Sequence, residues 1–157
     1  MLSMKVRDYD NKDEVEVKNI FTQYWTDNEF LNELAEELKA KVCKFYVAEK
    51  NGEVVGIAGL REAPTHLRNH ADTSEPAELY IIASKYQNQG IGNFIGQKIV
   101  GEAKKLGFAE ILVYSPETHI SSWKFYEKLG FKKHGIIKDP DDGYPGMLWK
   151  KKLKNLK

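Results

Sequence analysis

The stretch Gln87-Asn88-Gln89-Gly90-Ile91-Gly92 has the make-up of an anion cradle. It follows Ala77-Glu78-Leu79-Tyr80-Ile81-Ile82-Ala83, a short run rich in β-branched and aromatic residues that reads as a buried strand. It opens a segment in which Ile91, Phe94, Ile95, Ile99, Ala103 and Leu106 recur at helical spacing, with Lys98 and Glu102 at the margin. The first turn of a helix leaves its N–H groups without intrahelical partners, and glycines at 90 and 92 remove the β-carbons that would keep a diphosphate away. The chemistry on offer is therefore pyrophosphate binding by backbone amides. The segment lacks both the Gly-Lys-Ser/Thr ending of a P-loop and the glycine spacing of a dinucleotide fingerprint, so neither ATP nor NAD is favoured. Taken alone, the turn fits equally a tight strand-to-helix connection with no ligand.

A second stretch, Ser121-Ser122-Trp123-Lys124-Phe125-Tyr126-Glu127-Lys128-Leu129-Gly130-Phe131, places Trp123, Tyr126 and Leu129 at helical spacing before a C-cap glycine. The two stretches together resemble the GNAT superfamily of acyl-CoA-dependent N-acetyltransferases. Gln87-x-x-Gly90-x-Gly92 matches its Gln/Arg-x-x-Gly-x-Gly/Ala signature, and Phe125 to Phe131 matches its second motif, in the family's order and at its usual separation. The strand-like Glu110-Ile111-Leu112-Val113-Tyr114 lies between them. The resemblance covers residues 77 to 153 well and the first half only in its order of elements. Two departures stand out. His119 and Ser122 occupy positions where the family usually has Asn and Ala, and Ala83-Ser84-Lys85-Tyr86 is one residue longer than the usual Pro-containing link.

The resemblance implies an α/β (α+β) GNAT acyl-CoA N-acyltransferase fold, with a mixed central sheet whose middle strands splay apart and helices on its flanks. It implies an enzyme that transfers the acetyl group of acetyl-CoA to a primary amine of a small molecule or peptide, by direct attack in a ternary complex. Gln87 and the backbone of Asn88, Gln89, Gly90, Ile91, Gly92 and Asn93 would hold the pyrophosphate. The pantetheine arm would pair with the strand edge at Ile81, Ile82 and Ala83, and His119 would stand where the asparagine contact is usual. Tyr126 matches the family's general acid for the departing thiolate. Attack needs a neutral amine, and Glu78 at the start of the cofactor strand is the first candidate base, with Glu62, Asp72 and Glu75 as weaker ones. A solvated Glu78 at a strand end is the structural alternative. The alternative function is a catalytically silent acyl-CoA-binding or partner-binding module. A nucleotide-dependent kinase or hydrolase is weakened by the missing lysine.

The elements that must position these residues are legible in order. Met4–Arg7 opens as a strand, Glu14–Trp25 carries Val17, Ile20, Phe21 and Tyr24 at helical spacing, and Thr26 with Glu29 offers a capping box for a helix through Leu38. Lys44–Lys50 and Glu53–Leu60 read as strands joined by Asn51-Gly52, the dipeptide of a type I′ hairpin. The order is β-α-α-β-β-β-α-β-α-β-β, closing on Lys138–Gly146 and a strand from Met147 to Leu153. Pro64 and its polar neighbours suggest a loop, so His66 and His70, four apart, are not expected to bind metal. Asp139, Asp141 and Asp142 make the last loop acidic, which would draw a cationic amine.

The bulk properties set outer limits. At 157 residues and 41% apolar content, the chain is expected to form a single domain, 1–157, with a core that needs neither disulfide nor structural metal. A net charge of +1 with interspersed signs argues against nucleic-acid or membrane partners. One cysteine, Cys43, flanked by Val42 and Phe45, reads as a core residue. The cytoplasm is the expected location, and exposed strand edges make a homodimer an expectation.

Overall fold

A computed structural model describes residues 3–40, 42–117, 122–140 and 143–153. The chain runs β1 (Met4–Asp8), α1 (Glu14–Tyr24), α2 (Asn28–Ala40), β2 (Lys44–Lys50), β3 (Glu53–Glu62), α3 (Thr65–Arg68), β4 (Pro76–Ser84), α4 (Ile91–Lys105), β5 (Glu110–Pro116), α5 (Trp123–Lys128), β6 (Lys132–Lys138) and β7 (Pro145–Lys152). The strands form one mixed sheet of seven in the order β1-β2-β3-β4-β5-β7-β6. β4 and β5 are parallel and share only the pairs from Pro76↔Glu110 to Glu78↔Leu112, the limited middle ladder expected of splayed strands.

The Cα framework divides into two compact units, Met1–Arg61 with Ile81–Ile99, and Glu62–Tyr80 with Val100–Lys157. In the first, β1 and β2 are antiparallel, and β2 turns into β3 through Asn51 (φ 54) and Gly52 (φ 80), as a type I′ turn requires. α1 buries Val17, Ile20 and Phe21, and α2 buries Leu34 and Leu38, so both present one apolar face. The start of α2 differs from the sequence expectation. Asp27, not Thr26, accepts the Glu29 N–H at 2.9 Å, because the helix begins at Asn28 and the cap must immediately precede it.

In the second unit, β5, β7 and β6 form an antiparallel meander in space, with Val113 opposite Trp149 and Trp149 opposite Lys133. Gly107 (φ 90) and Gly130 (φ 92) end α4 and α5 in the left-handed conformation that glycine adopts without strain. The segment after Pro64 forms one helical turn rather than a loop. Pro64 needs no donor at a helix start, its carbonyl accepts the N–H groups of Leu67 and Arg68 at 3.0 and 2.8 Å, and Leu67 is fully buried against Ala63, Leu112 and Leu148.

One buried ion cluster ties β1 to the start of α1. Arg7 donates Nη1 to Asp13 Oδ2 at 2.8 Å and Nη2 to Asp13 Oδ1 at 2.9 Å, and it also reaches Glu49 Oε1 at 3.2 Å. Asp13 is buried, and the Arg7 hydrogen bonds hold its carboxyl below the usual carboxylate range. Because Arg7 retains 25% side-chain exposure, Asp13→Asn is expected to cost about 2–3 kcal/mol, less than the ~3–5 of a fully buried pair. A depressed carboxylate stabilises the fold above its unfolded pKa and stops doing so as pH falls. Urea midpoints of wild type and variant should therefore differ at pH 7 and draw together as pH falls below the ordinary carboxylate range.

Candidate active site

The first unit builds the cradle. β4 passes into α4 through residues 85–90, where Asn88 (φ 60) and Gly90 (φ 74) are left-handed. Asparagine tolerates this conformation and glycine is at home in it. The Phe94 N–H bonds to Gly90 O at 3.0 Å, so the amides of Ile91, Gly92 and Asn93 come before any intrahelical acceptor. Nothing lies within 4 Å of where a Gly90 Cβ would stand, and Gln87, Asn88, Gln89 and Gly90 are exposed. The first turn of α4 carries no acidic residue to offset the positive end of the helix dipole. An open row of amides at an unopposed dipole fits a diphosphate.

Leading into the cradle, Ile81 and Ala83 are buried on one face of β4, and Ile82 is half-buried on the other. Gly56 on β3 lets this end of β4 pack closely, since a Cβ there would stand 3.1 Å from Ile91 Cγ2 and 3.4 Å from Ala83 O. The longer link after β4 is held at Ser84, Lys85, Tyr86 and Gln87. Tyr24 at the end of α1 donates its hydroxyl to Ser84 O at 2.5 Å, and Gln87 Nε2 donates to the same hydroxyl. The Lys85 N–H bonds Val55 O at 2.8 Å, while Lys85 Nζ and the Tyr86 hydroxyl each reach Glu53 Oε2 at 2.6 Å. Lys85 and Tyr86 together hold the Glu53 carboxyl below its ordinary range. Sequence reasoning did not find Tyr24 or Glu53. No local pattern marks them, because each meets the link from far along the chain.

The second unit holds the candidate acid and base. Tyr126 on α5 is buried, with Phe125, Trp149 and Phe131 rings 5.3, 6.1 and 6.2 Å from its own. Burial pushes its phenol up to about 12, so it stays protonated throughout the physiological range. Ser122, the departure from the family's alanine, stands at the N-cap of α5 without a side-chain cap bond. Glu78 is buried at 7% exposure, opposite Leu112 in the short β4–β5 ladder, and is not a solvated strand end. The weaker base candidates Glu62, Asp72 and Glu75 are exposed, and Asp72 pairs with Lys150 at 3.3 Å.

A second buried carboxylate, Glu110, takes the N–H groups of Asp72 and Thr73 at 3.0 and 3.1 Å and the Thr73 hydroxyl at 3.0 Å, fixing the approach to β4. A charged residue opening an otherwise apolar strand was its sequence signal. His70 packs against His134, ring centres 5.4 Å apart. His119, Asp141 and Asp142 lie outside the described residues, and Asp139 is the member of the acidic loop that is described.

The acetyltransferase (GNAT) family model matches residues 14–131, a span that contains both the cradle and Tyr126. The chain belongs to the GNAT family. It is 30% identical over 93 residues to N-acetylaspartate synthetase of Xenopus tropicalis, a match covering 59% of this chain and 32% of that protein, so the matched region spans about a third of that relative. Its fold is similar to that of a GNAT-family protein from Desulfovibrio desulfuricans, with a TM-score of 0.79, 20% identity and coverage of 97% of this chain and 100% of the other. It is also similar to a GNAT family acetyltransferase from Elizabethkingia anophelis with acetyl-CoA bound, at a TM-score of 0.73, 18% identity and coverage of 96% and 98%. No helix among the described residues of this GNAT chain is long and apolar enough to cross a membrane.

Burial of Tyr126 has a consequence for stability in alkali. Its raised pKa means the neutral phenol is favoured by the fold, and that contribution is whole below pH ~10 and fades as pH rises toward 12. Wild type should lose about 2 kcal/mol more than Tyr126→Phe between pH 9 and 11.5, as read from urea unfolding.

Proposed function

We infer that this GNAT chain transfers the acetyl group of acetyl-CoA to a primary amine of a small molecule or peptide, by direct attack within a ternary complex. The observation that carries this reading is the open amide row at the head of α4, presented by left-handed Gly90 directly after β4. Backbone N–H groups between Asn88 and Asn93 bind the diphosphate, and the β4 edge at Ile81, Ile82 and Ala83 receives the peptide-like pantetheine arm as an added strand. Held in this way, the thioester and the amine react as though within one molecule.

An alkyl amine with a pKa near ~10.4 is protonated at neutral pH and must lose a proton before attack. Glu78, a buried carboxylate on the cofactor strand, accepts it, directly or through water. Tyr126 donates to the departing sulfur. With its phenol pushed up to about 12, full transfer to a thiolate near ~8.5 is uphill by about 5 kcal/mol, so it supplies a hydrogen bond that strengthens as charge builds. We place the enzyme in the cytoplasm, acting without nucleic acid or membrane, and as a homodimer joined along an outer strand, β1 or β6. The net charge of +1 speaks against nucleic-acid and membrane partners, and the sheet order leaves β1 and β6 at its edges.

Thiol release from acetyl-CoA across a panel of polyamines, amino acids, aminoglycosides and peptides tests the activity. Turnover with at least one amine is expected, whereas tight coenzyme A binding without release would leave a binding module. Tyr126→Phe should lower kcat ten- to a hundredfold with coenzyme A affinity kept, and Glu78→Gln should lower kcat most at low pH, where deprotonation of the amine limits the rate.

A further inference from the structure

We propose that Tyr24 is a positioning residue that pre-forms the diphosphate cradle by clamping both ends of the link between β4 and the turn. The inference rests on the acetyl-CoA reading of that turn and gives it a support from α1, outside the family's signature.

The clamp is a single hydroxyl used twice. Tyr24 Oη donates its one proton to Ser84 O at 2.5 Å, so it can only accept from Gln87, and Gln87 turns its amide nitrogen toward it. Ser84 is the last residue of β4 and Gln87 is the first residue of the glycine signature. The two are thus tied to one point across the stretch that is a residue longer than the family's usual link. A longer, proline-free link has more conformations to lose, at about 1–2 kcal/mol per residue ordered, and that cost falls on cofactor binding unless something orders the link beforehand. Glu53 and Val55 hold Lys85 and Tyr86 from the β3 side, and Tyr24 closes the other side.

Tyr24 is partly exposed and packs against its neighbours. Its ring lies 5.7 Å from Trp25, which in turn packs 5.6 Å from Phe30 and 6.1 Å from Phe21. The hydroxyl is therefore presented from a braced aromatic group at the α1–α2 junction. In this arrangement the Gln87 side chain of the signature is engaged within the protein and acts on the ligand through the backbone that it orients.

Calorimetry with free coenzyme A, hydrogen exchange of peptides covering residues 84–93, and steady-state kinetics test the clamp together. Tyr24→Phe should weaken coenzyme A about tenfold, speed exchange of the Lys85 amide, which is bonded to Val55 O, in the ligand-free protein, and leave kcat at saturating acetyl-CoA within twofold of wild type. Gln87→Glu should do at least as much, because it removes the donor to the Tyr24 hydroxyl and sets a carboxylate to compete with Ser84 O for its one proton. In a Gln87→Ala background, Tyr24→Phe should add little. Unchanged coenzyme A affinity and exchange in Tyr24→Phe would overturn the proposal, as would full additivity of the two substitutions or a matching fall in kcat. Failure of the wild-type protein to bind coenzyme A would instead sink the acetyl-CoA reading itself.

Discussion

A row of backbone amides binds a diphosphate well only if it points outward before the ligand arrives. Each amide hydrogen bond to a charged oxygen contributes about 1.5–3 kcal/mol, and ordering each flexible residue costs about 1–2. A link that settled only on binding would cancel most of what the amides contribute. The left-handed backbone at Gly90 aims the row, and the ties from Glu53, Val55 and Tyr24 keep the preceding link in place. The cradle's chemistry therefore depends on contacts outside the cradle.

Carboxylates serve this purpose repeatedly, accepting from backbone or side-chain donors of the connecting segments. Asp13 takes the Asp10 N–H at 2.9 Å as well as Arg7, and so fixes the entry to α1. Glu110 takes two consecutive amides before β4. Glu53 takes Lys85 and Tyr86 after it. The last two bracket β4, so this strand enters and leaves through segments anchored by acidic side chains. Glu110 is fully buried and has hydrogen-bond donors to justify a charge in that position, whereas an apolar residue there would leave two amides unsatisfied.

Tyr126 illustrates how the surroundings of a side chain decide what it can do. Packed by Phe125, Phe131 and Trp149, it is kept neutral, which suits a donor and excludes a base. The same burial makes it a poor acid in the thermodynamic sense. A phenol in this state more readily supplies a hydrogen bond than gives up its proton.

Much of the fold was readable from local pattern. The helical spacing of Val17, Ile20 and Phe21, the Asn51-Gly52 turn, the left-handed Gly107 and Gly130, and the strand–glycine–helix passage at 77–106 all follow from short-range sterics and from which side of an element must be apolar. Where local signals competed, neighbours in space chose between them. Leu67 is buried against Leu112 and Leu148, and that contact folds the turn after Pro64 into a helix that its polar sequence did not announce. Glu78 could have been a solvated strand end by its sequence, and only packing made it a buried carboxylate. The sequence by itself determined most of the elements and the glycines of the cradle, because those depend on residues a few positions apart. Tertiary structure alone decided that Tyr24, 60 residues before Ser84, would hold the cradle's approach, because a hydroxyl carries no sequence mark of the distant carbonyl it will meet.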